Sequence, residues 1–381
     1  SNVIASGIYY ENVLYGSKVT IAKNKFLSTV ADNPANIDHS SIYMDTPDSF
    51  VVDNLFRNSS HGKEVGCAIE VHASNVLVKG NQVFNYSRMG WLAAMPITIE
   101  NVNFIDNICF VSNHAVILTA SQNGYVLRCN IKDNIVHCEH VTTSDNFVTY
   151  QGIVITSGIL DNLGWAGVVQ LNIEHNKLYI HYSKQPQFAT IVNFEQVVDA
   201  TIEDNTIHNA IAGANFLSFD SSTFKDNKIY NQTGTITYHK DFYLQINASK
   251  VNQSIIADND FKFSADNKPS YLIGLANVDG NNLISTTIVN NRQLSPFKPN
   301  ADIFFKPSLN LQNSNTLDFN HYNHSISVPS LTMGGEAAWT QSLPNNYNGC
   351  VVDLDLISDG RFYALVDKGI ATGSNLNLRV K

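Results

Sequence analysis

The chain has 381 residues, 44% of them hydrophobic and 15% charged, which is enough apolar material for a sizeable core. Its formal net charge is −9 with no basic run, which argues against nucleic acid or an anionic membrane surface as a partner. No stretch approaches 18 consecutive apolar residues, so no membrane insertion is expected. The five scattered cysteines (Cys67, Cys109, Cys129, Cys138, Cys350) predict buried thiols, not a disulfide framework or a zinc site.

The chain opens on coil-like sequence, SGIYYENVLYG, with no amphipathic segment before it. Open strands need a cover, so the expectation is a fragment of a longer protein, or a cap supplied from outside. A six-residue phrase, apolar–any–any–Asn–any–apolar, then recurs ten times. It reads IAKNKF, VVDNLF, VKGNQV, FIDNIC, IKDNIV, IEHNKL, IEDNTI, FKDNKI, IADNDF and IVNNRQ, centred on Asn24, Asn54, Asn81, Asn107, Asn134, Asn176, Asn205, Asn227, Asn259 and Asn291. The spacing is 22 to 42 residues. A fixed phrase at that period marks a solenoid, and short apolar runs on either side of a break mark strands.

The asparagines are read structurally. Asn tolerates the left-handed backbone region that turns a chain sharply, and identical amides stacked one coil above another can form a ladder. Asp precedes Asn in six phrases (Asp53, Asp106, Asp133, Asp204, Asp226, Asp258), as expected of a solvent-facing turn residue. No calcium-loop pattern accompanies the column, so no metal and no cofactor are predicted.

Between the phrases lies a looser recurrence of strands ending in small polar residues: SIYMDT, AIEVHAS, AVILTAS, GIVITSG, TIVNFEQ, NFLSFDS, YLQINAS and YLIGLAN. Alternation points their aliphatic members inward and the others out. Spacings above the shortest repeat imply extruded loops, the largest between Asn134 and Asn176. Loops on a rigid scaffold are where binding and catalysis usually sit. The phrase ends at Asn291, and Pro296, Pro299 and Pro307 follow closely. Proline removes ladder donors, so the solenoid is assigned to 1–295, a proline-containing linker to 296–307, and a small antiparallel β domain to 308–381. In the last, CVVDLDLISDGRFYALVDKG carries two alternating runs joined across Asp359-Gly360, a two-residue hairpin signal. A domain this short predicts stability through assembly with copies of itself.

An all-β, right-handed parallel β-helix of about ten coils with Asn-marked turns and a short terminal β domain resembles the tailspikes of tailed bacteriophages, within the wider pectin-lyase-like fold. The resemblance implies a homotrimer on the virion tail, acting outside the cell on a bacterial surface polysaccharide, capsule or O-antigen. It carries over no catalytic residue. The polygalacturonase and pectate-lyase signatures are absent, so pectin chemistry is not implied.

Glycosidic hydrolysis normally uses two carboxylates, and strands of neighbouring coils are about 4.8 Å apart, so outward carboxylates on adjacent coils can cooperate. The recurrent strands offer Asp45, Glu70, Glu195 and Asp220. Glu195 and Asp220 fall in consecutive coils and form the preferred pair. Glu70 and His72 share one face of a strand and form a second, acid–base pair, with Asp45 one coil away. A lyase would instead want a Tyr or His base and a cation for the uronate; Tyr150, His181 and Tyr182 lie by the longest insertion, without an Arg cluster. Tyr150, Trp165 and Tyr182 are candidate sugar-stacking residues. The alternatives are a receptor-binding spike without catalysis, a polysaccharide lyase, and a structural β-helix with protein partners.

Overall fold

The computed structural model describes residues 8–11, 18–28, 40–58, 66–94, 97–120, 124–139, 150–158, 167–181, 188–194, 197–208, 214–216, 219–231, 242–246, 251–263, 271–275, 283–284, 286–294, 301–305, 316–318, 325–327, 351–356, 362–366 and 369–373. They contain strands and no helix, and fall into two compact units, Ser1–Ala210 and Ile211–Lys381. Each unit is built as a right-handed parallel β-helix, the hand expected of strands joined by parallel crossovers.

One coil of the first unit shows the construction. A strand such as Ile99–Ile105 precedes the Asn and belongs to sheet A. The chain turns at Asp106-Asn107, and the strand that follows belongs to sheet B. It bends again into the recurrent strand of sheet C, then passes to the next sheet A strand. In two coils B and C are continuous, through the 13-residue strands Gln82–Ala94 and Ile108–Ala120, with register shifts at the bend. Elsewhere in the first unit residues 29–39, 59–65, 140–149 and 182–187 separate the two.

The inward column of sheet A runs Val51, Val78, Phe104, Ile131, Ile173, Ile202 in direct register, every one at 0% exposure. Burying each such side chain contributes about 1.5–3 kcal/mol. Gly90 belongs to this core for a steric reason. A Cβ there would lie 2.5 Å from the Phe104 ring, so the ring fills the space a side chain would need.

The turn corrects the sequence reading in one respect. The left-handed residue is the one before each Asn, not the Asn. All ten preceding residues have positive φ: Lys23, Asp53, Gly80, Asp106, Asp133, His175, Asp204, Asp226, Asp258 and Asn290. Asp, Asn, His and Gly tolerate that region best, which accounts for nine of these ten identities. The Asn itself is free to point inward and form the ladder. In the first unit Oδ1 of Asn107 accepts from the Asn81 backbone N–H (2.9 Å) and from Asn81 Nδ2 (3.0 Å). Asn107 Nδ2 donates to Asn134 Oδ1 (3.0 Å) and to the Val78 carbonyl (3.0 Å). This pattern links Asn54, Asn81, Asn107, Asn134, Asn176 and Asn205, all buried, and begins at the exposed Asn24. In the second unit Asn227, Asn259 and Asn291 form the same ladder.

A second left-handed column sits five residues upstream, at Asp48, Asn75, Asn101, Arg128, Gln170 and Asp199 in the first unit. Here the side chains face water and chain together, Asn75 to Asp48 (3.0 Å) and Asn101 to Asn75 (2.9 Å).

In the second unit parallel pairing continues beyond residue 295. Ala301–Phe305 pairs with Tyr271–Leu275, Thr316–Asp318 with Thr287–Val289, and Ser325–Ser327 with Ala301–Phe305. Pro296, Pro299 and Pro307 lie outside the described residues. Val351–Leu356, Phe362–Val366 and Gly369–Gly373 then pair antiparallel. Leu356 faces Phe362, so an odd number of residues joins the hairpin where Asp359-Gly360 suggested two.

Candidate functional site

Sheet C of the first unit collects the outward chemistry. Ile42, Met44, Ile69 and Val71 point inward at 0% exposure, so Tyr43, Asp45, Glu70 and His72 point out. Cross-coil register puts Tyr43 beside Glu70, Glu70 beside Trp91, Trp91 beside Ile117 and Ile117 beside Ile155. His72 N–H donates to the Met44 carbonyl (2.8 Å), which continues the ladder and sets His72 beside Asp45.

The centre of this face is Glu70, only 4% exposed although it is a carboxylate. Burial of such a group requires hydrogen-bonding partners, and it has one on each oxygen. His72 Nε2 lies 2.7 Å from Oε1, and Ser40 Oγ donates to Oε2 (3.0 Å). The His72 imidazole stacks on Tyr43, with centroids 4.5 Å apart and planes 24° apart. One coil on, the Trp91 indole N–H donates to Thr119 Oγ1 (3.1 Å), and the Arg88 guanidinium lies 5.4 Å from the Trp91 ring centre. His114, beside Arg88 in register, is buried; burial first, then the Arg88 charge, depresses its pKa to about 3, so it is neutral.

The setting of this face is as informative as its residues. The turn from sheet A to sheet B is always two residues long, whereas both ends of the sheet C strands join connections of very different length. The 42-residue interval between Asn134 and Asn176 resides there, in 140–149 and 159–166. Sheet C is therefore the face bordered by variable loops.

Sheet B presents a different surface. Phe84, Phe110, His137, Tyr179 and His208 stand in register, with centroid separations of 5.1, 4.4, 4.9 and 4.8 Å and interplanar angles of 12° or 13° at two steps and 3° or 4° at the others. His137 Nδ1 also contacts His181 Nε2 at 3.0 Å. Each inner ring has both faces covered by the rings above and below. Only edges reach solvent, and a sugar stacks on ring faces, so this ladder serves coil stacking.

Of the residues proposed from sequence, the structure brings Asp45, Glu70 and His72 together. Glu195 immediately follows the strand Phe188–Phe194 and lies outside the described residues, as do Trp165 and Tyr182; Tyr150 begins the strand Tyr150–Gly158, but its side chain is not described. Asp220 lies in the second unit on the short strand Phe219–Asp220, which pairs with Val251–Asn252. The sheet C strand of that coil is Ala214–Phe216, so NFLSFDS divides between two strands, and Asp220 does not occupy a sheet C position. Its Oδ1 is buried with no hydrogen-bond partner among the described residues. Sequence reasoning missed Arg88 and Trp91. The signal was the run MGWLAAM, which has the alternation and small-residue ending of the other sheet C strands.

Among the described residues no group of three or more His, Cys, Asp or Glu is placed to hold a metal ion. Cys67, Cys109, Cys129 and Cys138 are buried thiols not joined in disulfides.

No protein-family model matches the chain, and no curated protein matches it in sequence. Solved structures do match. A mutant tailspike protein of E. coli bacteriophage HK620, in complex with pentasaccharide, aligns over 91% of this chain at 16% identity with a TM-score of 0.60, using 55% of its own length. The tailspike protein of the same phage with pentasaccharide aligns over 91% at 15% identity and a TM-score of 0.59, again over 55% of its length. A mutant of that protein with hexasaccharide gives 15% identity and a TM-score of 0.57 over 91% of this chain and 54% of the other. The chain thus has the parallel β-helix fold of a phage tailspike and spans about half the length of those proteins.

Proposed function

We propose that this chain is the glycan-recognising β-helix of a phage tailspike, and that it binds a bacterial surface polysaccharide, capsule or O-antigen, along sheet C and cleaves it by endo-glycosidic hydrolysis. The observation carrying the reading is the outward cluster Tyr43–Glu70–His72–Trp91, a hydrogen-bonded carboxylate–imidazole pair between aromatic rings on the face whose strands join connections of varying length at both ends. Asp45, beside His72 across the coil step, supplies the second acid–base group that hydrolysis requires. The fold shared with oligosaccharide-bound tailspikes supports the same reading, and under it the chain assembles as a homotrimer on the virion tail. Glu195 and Asp220 remain the rival carboxylate pair.

The test is release of reducing ends from a panel of purified capsular and O-antigen polysaccharides. His72→Ala and Asp45→Asn should each lower turnover by about 10²–10⁴, the usual worth of a general acid or base. Normal turnover in both, with loss in Glu195→Gln and Asp220→Asn, would move the chemistry to the rival pair. A receptor-binding spike without cleavage is favoured by one observation: Glu70 is buried and engaged on both oxygens. Tight binding without reducing-end release by the native protein would select that reading.

A further inference from the structure

We infer that His72 performs the proton transfer of the sheet C site at Nδ1, and that Glu70 is its positioning residue and not a reacting carboxylate. The inference rests on the proposed glycan-cleaving role of that face. An ionised carboxylate can only accept hydrogen bonds, so the 2.7 Å contact puts a proton on His72 Nε2. The second Glu70 oxygen is taken by Ser40 Oγ at 3.0 Å, and the Glu70 side chain is 5% exposed, against 17% for His72. Glu70 therefore has both oxygens engaged and almost no surface to offer a polysaccharide. The tautomer of a histidine is set by the partner of its other nitrogen, and here that partner leaves Nδ1 as the exchanging atom. No described residue hydrogen-bonds Nδ1. Tyr43, stacked at 4.5 Å, fixes the ring plane against rotation.

The step balances with water as the only co-reactant. Asp45, one strand away at about 4.8 Å between backbones, takes a proton from the attacking water. The water oxygen forms its bond to the anomeric carbon, and the glycosidic C–O bond breaks with its electron pair going to the leaving oxygen. That oxygen takes a proton from Nδ1 of the imidazolium form of His72, which leaves the neutral ring protonated at Nε2. Both groups then exchange protons with solvent and return to their starting states, while the Nε2–H bond to Glu70 stays intact throughout.

Two readings test this in the full-length protein. Nitrogen NMR of histidine-labelled protein, with the His72 signals assigned by their loss in His72→Gln, should show neutral His72 protonated at Nε2 and bare at Nδ1. Glu70→Gln offers both a donor and an acceptor and so no longer enforces that tautomer; it should mix the two forms and lower kcat by about 10²–10⁴ with KM within about twofold. Ser40→Ala, which leaves the Glu70–His72 contact, should keep the tautomer and cost less than tenfold in kcat. Native His72 protonated at Nδ1, or a His72→Gln variant that cleaves normally, overturns the assignment while leaving the cleavage reading standing. A native protein that cleaves no polysaccharide overturns both.

Discussion

Neighbouring residues of one turn should respond in opposite ways to truncation. Asn107→Ala removes four hydrogen bonds, the two accepted from Asn81 and the two donated to Asn134 and Val78, at a site with 0% exposure. At about 1 kcal/mol per bond the loss is about 4 kcal/mol, and the two stranded donors of Asn81 add to it. Asp106→Gly acts on a residue whose φ is 55° and whose side chain is half exposed, with one surface ion pair to Lys79. Relief of the left-handed strain offsets that pair and the added chain entropy, so the change should stay within about 1 kcal/mol. Gly80 already occupies the equivalent slot one coil earlier. Guanidinium unfolding would compare the two, read as midpoints if reversible and as unfolding rates if not. About 4 kcal/mol corresponds to a rate difference of up to about three orders of magnitude. Equal effects of the two substitutions would refute the division of labour between a turn residue and a ladder residue.

Gly90→Ala should destabilise by about 1–3 kcal/mol, since the new Cβ meets the Phe104 ring at 2.5 Å; a neutral result in the same denaturation assay would mean that the core has slack there. His114 is held neutral down to a pKa of about 3, so the unfolded chain binds a proton that the folded one refuses as pH falls below 6.5. Stability should then fall toward acid by up to about 1.4 kcal/mol per pH unit, and His114→Gln should remove that part of the slope between pH 6.5 and 4. Burial raises the thiol pKa of Cys109 and Cys129 and pushes Cys138 up to about 12, so native protein at pH 8 should resist alkylation at all three positions, which mass spectrometry reads directly. Sedimentation should give about three times 42.1 kDa, and a stable monomer would end the trimer proposal.

The coil was legible because its most demanding position is chemically narrow. Only Asn gives a buried side chain two acceptor sites and two donors in a shape that repeats coil after coil, so it recurs even where the flanking residues change. The assignment of the left-handed residue was off by one because Asp and Asn share both tolerance of that region and turn chemistry, and periodicity alone cannot separate them. The aromatic ladder was present in the sequence as the third residue after each Asn: Phe84, Phe110, His137, Tyr179 and His208. Sheet C was harder to read because variable loops at both its ends detach its register from the Asn phrase. Asp220 shows the consequence: NFLSFDS has the right texture but divides between the strands Ala214–Phe216 and Phe219–Asp220. Trp91 was hidden for the opposite reason, since no loop separates it from the preceding strand and Gln82–Ala94 reads as one run.

The most direct test of the account compares the two outward faces of the first unit by binding. Wild type, Trp91→Ala and Tyr179→Ala would each be titrated against a panel of purified capsular and O-antigen polysaccharides, with folding checked by circular dichroism. The account predicts that wild type binds one member, that Trp91→Ala on sheet C weakens binding at least tenfold, and that Tyr179→Ala in the self-covered ladder of sheet B leaves affinity unchanged. Loss of binding in Tyr179→Ala with retention in Trp91→Ala would contradict it, and so would a wild-type protein that binds nothing on the panel.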